Sequence, residues 1–290
     1  MAISLERFSP APDLPGHDLR LLYQLFEEAQ RSRVSHGERL RAVFQGRTVA
    51  RSTSRLEKPD ALLKLIAQGN AVGAPKILER AYVRAAADEA DARESLREAI
   101  EQHPAWTWLE SKKGIGHLLA ARLLSRLDVT RARTPSAFWA YCGLATIPGV
   151  SYRCERCKLE VAYPVGYKLH EPHYALSGLR QCSGRLEAVG EESTRVAPRR
   201  TTLGGRKSYD SHARKSCYLI GVSLLRCGSD YRTFYDSERE RLARLRPGWT
   251  PRHSHLSALR RMEKVFLRDL WLAWRRAVNL PIVAPYFPRL

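Results

Sequence analysis

Residues 111–124 read Ser-Lys-Lys-Gly-Ile-Gly-His-Leu-Leu-Ala-Ala-Arg-Leu-Leu, a Gly-apolar-Gly hairpin opening an apolar-periodic helix. An amphipathic pattern over residues 96–109 leads into it, so the segment reads as a helix-hairpin-helix. The chemistry suits a phosphate. Gly114 and Gly116 can take positive φ and let a backbone come close to a ligand. The helix that begins at His117 turns its free N–H groups and the positive end of its dipole toward the same point. Lys112 and Lys113 add charge there, and Ile115 joins the two glycines. Lys112, Lys113, Gly114, Ile115, Gly116 and His117 are therefore predicted nucleic-acid contacts. The plainer alternative is a turn between two helices that happens to hold glycines.

The charge balance points to an acidic polymer. The 290 residues carry a formal net charge of +19, with a pI near 10.1. Between residues 195 and 276 there are 20 Lys/Arg against 7 Asp/Glu, so +13 of the total lies in that stretch. Such a field attracts nucleic acid first and a membrane surface second. A hydrophobic fraction of 44% supports a folded chain, and this length corresponds to one large or two modest domains. No apolar run approaches membrane-spanning length. The N-terminus lacks the charged-then-apolar order of a signal peptide. Six cysteines, metal-linked or buried rather than paired, fit a reducing compartment. The expected location is cytoplasmic and nucleoid-associated, with no membrane partner.

A second signal lies between residues 152 and 195. Two residues separate Cys154 from Cys157, twelve separate Cys157 from His170, and eleven separate His170 from Cys182. Thiolates and an imidazole at such spacing can close a tetrahedral Zn²⁺ site. Cys154, Cys157, His170 and Cys182 are the predicted ligands, with His173 as the alternative histidine. The stretch is rich in glycine and proline, has short β-type runs such as residues 159–163, and offers few core side chains. A segment this small normally needs a metal or disulfides to fold, and three cysteines cannot all pair among themselves. The reading is a small zinc ribbon with a structural ion; the alternative is a loop with incidental cysteines. Cys142, Cys217 and Cys227 sit in apolar or helical contexts and are expected in the core.

The remaining pattern is helical, so the predicted fold class is mainly α. Residues 1–17, with three prolines, read as a loose arm. Apolar periodicity then begins at Leu19, and further helices are expected over residues 60–68, 77–102 and 256–277. In the last of these, Phe266, Leu267, Leu270, Trp271 and Trp274 form a stripe expected in the core. Asp88, Glu89, Asp91, Glu94 and Glu98 crowd one helix and should form solvated pairs with Arg93 and Arg97. The predicted domains are a helical region over 1–105, a helix-hairpin-helix domain made of 106–151 and 196–278, an inserted ribbon over 152–195, and an irregular tail over 279–290. The N-terminal helices could support a homo-oligomer.

Beyond the hairpin, the order of pieces resembles the C-terminal domain of the DEDD-type, bridge-RNA-guided insertion-sequence transposases. The hairpin is followed by Thr134-Pro135-Ser136-Ala137-Phe138-Trp139-Ala140-Tyr141-Cys142-Gly143-Leu144. The likeness resumes at Gly204-Gly205-Arg206-Lys207, His212-Ala213-Arg214-Lys215, Leu224-Leu225-Arg226 and Tyr231-Arg232-Thr233-Phe234-Tyr235. In the family, Lys113 and Thr146 are usually prolines. The resemblance implies DNA as partner, with structured RNA as a variant, and adds Arg199, Arg200, Arg206, Lys207, Arg214 and Lys215 to the predicted contacts.

The family's chemistry has two halves. One is a Mg²⁺-holding nuclease domain with four separated acidic residues. This chain has little room for one before the hairpin, so a Mg²⁺ cofactor is not expected. The other is a serine about eight residues beyond the glycine of Tyr-x-Gly-Leu. Counting from Gly143 reaches Ser151, which is followed by Tyr152 where the family has glycine. Ser151 is thus the catalytic candidate by position, against an ordinary turn serine. Two functions follow: a transposase-derived, sequence-tolerant nucleic-acid-binding protein without catalytic activity on its own, or a strand-transfer enzyme using Ser151.

Overall fold

The computed structural model describes residues 15–49, 59–70, 72–166, 169, 173–174, 181–189, 194–198 and 209–284. These are mainly helical, with one four-stranded and one two-stranded sheet among the described residues. The chain divides into two compact units, one made of residues 1–110 and 116–127, the other of 111–115 and 128–290.

Among the described residues, the regular elements of the first unit are all helices. Helix α1 spans Pro15–Val49, α2 Pro59–Ala67, α3 Lys76–Glu101, α4 Trp106–Glu110 and α5 His117–Leu124. Helix α1 starts inside the stretch expected to be irregular, because proline at the first helical turn has no N–H to lose and a φ already set. Residues 1–14 of that arm lie outside the described residues. Leu19, Tyr23 and Phe26 recur at helical spacing on α1 and are buried. Further along, Leu40 and Phe44 of α1 pack with Leu63 and Ile66 of α2, Tyr82 of α3 and Ala74 before it. Helix α2 ends on Gly69 at φ +85, where the Gly69 N–H reaches Ile66 O at 2.9 Å and Asn70 N–H reaches Leu65 O at 2.9 Å. That is the Schellman pattern for closing a helix.

The acidic run on α3 departs from expectation at one residue. Glu94 and Glu101 pair with Arg97 at 2.6 and 2.5 Å on the exposed face. Glu89, however, is only 3% exposed. It accepts from Arg33 of α1 and from Arg93 at 2.9 Å. Burial alone would raise its pKa, but the Arg33 and Arg93 contacts outweigh that and hold the carboxyl below its usual range. The helical period placed Glu89 on the charged run; the approach of α1 buried it.

The second unit is organised on its last helix. Helix α6 spans Pro135–Tyr141, α7 Ser211–Arg226, α8 Asp230–Leu245 and α9 Pro251–Ala277. The expected stripe of Phe266, Leu267, Leu270, Trp271 and Trp274 is buried, and α6, α7 and α8 all pack on α9. Gly221 lets α7 come close, since a Cβ there would lie 2.9 Å from Leu259 Cδ1. Trp271 Nε1 donates to Ala132 O at 2.7 Å, and Arg275 Nη1 donates to Val129 O and Ala132 O at 3.0 Å. These bonds satisfy loop carbonyls that water no longer reaches. Asp210 caps α7 by accepting from Ala213 N at 2.7 Å.

Between α6 and α7 the described residues form six strands. They are β1 Ile147–Cys154, β2 Glu160–Pro164, β3 His173–Tyr174, β4 Gln181–Cys182, β5 Leu186–Ala188 and β6 Thr194–Val196. Strand β1 is the spine, pairing antiparallel with β2, β5 and β6, while β3 and β4 form a separate pair. Strand β1 therefore runs through the predicted junction at 151/152 without a break.

Glu263 of α9 supplies a stability test. It is 6% exposed, and burial pushes its carboxyl up to about 8 against the opposing charges of Arg260 and Arg214. The folded chain thus holds this proton to higher pH than the unfolded chain. Its contribution is complete below about pH 4.5 and is lost as pH rises through about 8. Glu263→Gln is expected to flatten that decline and to stabilise the chain at about pH 9 by on the order of a few kcal/mol. Denaturant unfolding across this range measures it; an unchanged slope in the variant would show that Glu263 does not carry the effect.

Candidate metal centre and nucleic-acid interface

Strand β1 ends on Cys154, and the chain turns through Glu155, Arg156 and Cys157 with Lys158 at φ +56. The Cys157 N–H points back to Cys154 Sγ at 3.4 Å, and the Gly184 N–H points to Cys182 Sγ at the same distance. The amide directed at Cys154 Sγ favours its thiolate. His173 and Cys182 are direct partners across the β3–β4 pair, and cross-strand partners project to the same face. Cys154, Cys157, His173 and Cys182 consequently bring one ligand atom each to within 4.8 Å of one another.

The spacings fit a tetrahedral ion. Cys154 Sγ and Cys182 Sγ are 3.8 Å apart, and Cys157 Sγ is 3.3 Å from His173 Nε2. A metal–sulfur bond of about 2.3 Å gives tetrahedral S···S separations of about 3.8 Å. Cys154 is fully buried. Desolvation would raise its thiol, but the amides of Cys157 and Arg156 and the thiols of Cys157 and Cys182 bring it down to about 7. Cys157 is held up by desolvation and by the sulfurs of Cys154 and Cys182. One extra charge among three sulfurs is what a cation would relieve.

The set can therefore hold a metal ion such as zinc. Among the described residues its histidine is His173; His170 lies outside them. The sequence offered both, and strand register brings His173 opposite Cys182. Gly184 is a residue the sequence reading passed over. A Cβ there would stand 2.8 Å from Cys154 Sγ and 2.7 Å from Arg156 Cβ, so only glycine closes this turn.

At the hairpin the two glycines differ. Gly114 takes φ +98, and an added Cβ would lie 2.9 Å from Cys227 Sγ and 3.2 Å from Ser223 O of α7. Its carbonyl accepts from Ser223 Oγ at 2.6 Å. Gly114 is thus set by packing on α7. Gly116 does not take positive φ: it caps α5 at φ −102, ψ 174, with no side-chain cap bond. Nothing lies within 4 Å of where its Cβ would be. The open backbone is that of Gly116. Ile115 is buried and Lys113 exposed, with Lys112 between these extremes.

The other predicted contacts are placed unevenly. His117 stacks on Trp106 at 4.4 Å and bonds Glu101 Oε1 through Nε2 at 3.1 Å. Arg214 donates to Pro198 O at 3.1 Å and lies over the Tyr209 ring at 5.0 Å. Lys215 is exposed. Arg199, Arg200, Arg206 and Lys207 lie outside the described residues. Ser151 sits within β1 opposite Ala162, and its carbonyl accepts from Val189 N at 2.8 Å. Cys142 and Cys217 are buried, while Cys227 is half-buried against the hairpin.

Residues 107–156 match the model of the transposase IS116/IS110/IS902 family. The likeness runs from α4 through the hairpin, α5 and α6 to the end of β1, and so takes in Gly114, Gly116, Ser151 and Cys154. The likeness covers that segment of the chain. No curated protein matches the chain. Among the described residues, no helix is long and apolar enough to cross a membrane.

The four-ligand geometry predicts about one equivalent of bound divalent metal per chain. Cys154→Ser/Cys157→Ser should lose it and loosen the β1–β5 pairing, seen as faster amide exchange at Glu187 and Val189, whose N–H groups face β1. Metal-free wild-type protein prepared without chelator, or a double variant with unchanged exchange, would contradict this.

Proposed function

We propose that this chain is a transposase-derived, sequence-tolerant nucleic-acid-binding protein, with DNA preferred. The observation that carries the reading is the hairpin within the transposase-like segment. Gly116 leaves the backbone open, Lys113 is exposed beside it, and α7 packs on Gly114 from behind. A net charge of +19 supports an anionic polymer as the ligand. Lys112, Lys113 and the Gly116 amide contact phosphate; Arg199, Arg200, Arg206, Lys207, Arg214 and Lys215 are further contacts in this reading.

The Cys/His centre holds structural Zn²⁺ in this reading. Three sulfurs and one nitrogen leave no open position, so the ion folds the strand-rich segment rather than catalysing. That segment is an insertion in a helical host. Val196 pairs with Ile147 in register, so the chain leaves and re-enters the host side by side, as an insertion requires.

Binding by backbone contact should be steeply salt-dependent. For about six phosphate contacts, log K against log salt should fall with a slope of roughly −5. Lys112→Ala/Lys113→Ala should lower the slope and weaken unrelated duplexes alike. Salt-independent binding, or none at low salt, contradicts the reading.

The second reading makes Ser151 a nucleophile, and its offset from Gly143 inside the matched segment favours it. Against it, the acidic residues Glu89, Glu94 and Glu101 ahead of the hairpin are committed to arginines. The chain alone is therefore expected neither to cut nor to join DNA. A covalent adduct on supercoiled or branched DNA that survives denaturation and vanishes in Ser151→Ala would establish the enzyme instead.

A further inference from the structure

The corner between α8 and α9 is an aromatic and cationic surface that the hairpin reading does not use. Residues 244–253 read Arg-Leu-Arg-Pro-Gly-Trp-Thr-Pro-Arg-His, and no Asp or Glu occurs between Glu240 and Glu263. The Trp249 and His253 rings lie parallel, 4.0 Å apart with 3° between their planes. The Arg246 guanidinium stands over the indole at 5.9 Å. His253, Arg244, Arg246 and Arg252 are exposed and Trp249 half-exposed.

The three arginines at the corner make no ion pair among the described residues, unlike their neighbours. Arg241 and Arg261 share the buried Glu238, and Arg232 holds Asp236 at 2.8 Å. A solvated helix end would carry both signs; this one carries free cations beside a flat ring pair.

The platform is also held in place. Trp249 N–H donates to Arg246 O at 3.0 Å, and Thr250 Oγ1 accepts from His253 N–H at 3.2 Å. One turn further in, Tyr235 OH lies 2.6 Å from His255 Nδ1 and accepts from Arg239 at 3.0 Å. These bonds tie α8 to α9 at the base of the corner. Rings ordered before binding lose little freedom on binding.

We propose that this corner is a stacking site for an unpaired base of a nucleic-acid strand. The base extends the His253–Trp249 column, and Arg244, Arg246 and Arg252 take the flanking phosphates. The flat outer face of the ring pair, with arginines beside it, matches a base flanked by its phosphates. Base stacking on aromatic side chains is tolerant of sequence and pairs naturally with cations that track the backbone. The inference rests on the nucleic-acid reading above and adds single-stranded ligand to it.

The test uses the full chain with a labelled 15-nucleotide oligo(dT), the matching oligo(rU), and a blunt duplex of the same length. Trp249→Ala should weaken binding to both single strands by about tenfold, equivalent to about 1.4 kcal/mol. Duplex affinity should stay within about twofold of wild type, and Trp249→Phe should retain most single-strand binding. The Phe variant keeps a ring at the site, so the comparison survives if the Ala variant folds poorly. Equal losses on all ligands, or single-strand binding indifferent to Trp249, would overturn the proposal. If the duplex still binds through Lys112 and Lys113 in that case, the hairpin reading stands alone. If neither single strand nor duplex binds the wild type, both readings fall. Trp249-dependent binding to phosphatidylserine vesicles without any single-strand effect would replace the base with a lipid surface.

Discussion

Burial of one face of α9 is the constraint on which the second unit depends. Phe266, Leu267, Leu270 and Trp271 are almost wholly withdrawn from water, each worth about 1.5–3 kcal/mol. A helix so placed brings polar atoms with it, and the fold uses them. Trp271 and Arg275 reach back to the carbonyls of residues 129 and 132, and Arg260 to those of Gly143 and Leu144. Tyr231 ties α8 to Asp269 at 3.0 Å. The loop around α6, the start of α8 and the entry to β1 all take their positions from groups on this helix.

The strand-rich segment answers the same need by other means. Among its described residues, the buried interior is little more than Cys154, Leu186 and the histidine and cysteines around them. Apolar area on that scale cannot offset the entropy of ordering the segment. Four ligand atoms gathered within 4.8 Å offer a substitute for a core. The absence of a side chain at Gly184 belongs to this design, because the backbone must pass against Cys154 and Arg156.

The hairpin shows one motif serving two demands. Gly114 is where helix α7 presses on the loop, and Gly116 is where the loop faces outward. A substitution at Gly114 would be felt as misfolding of the turn, through both its positive φ and the contact with Cys227. A substitution at Gly116 would be felt at whatever approaches the backbone. Equal glycines in the sequence thus have unequal consequences.

By itself the sequence determined the helical class, the core stripe of α9, the hairpin, and the three cysteines that gather around one point. Each is a local pattern: a 3.6-residue period, a turn chemistry, or a short ligand spacing. Tertiary structure alone decided the rest. The pairing of His173 with Cys182 depends on strand register, which neither residue's neighbours encode. Glu89 shares its helix with solvated acids and is buried only because α1 passes over it beside Arg33. Glu263 likewise reads as one more charge on a charged helix until α7 closes on it at Gly221. The Trp249–His253 stack joins residues only four apart, yet its ring geometry is set by the turn between α8 and α9, which no recognisable motif marks. Periodicity tells which way a side chain faces on its own element; which element arrives to cover it is a long-range fact set by packing.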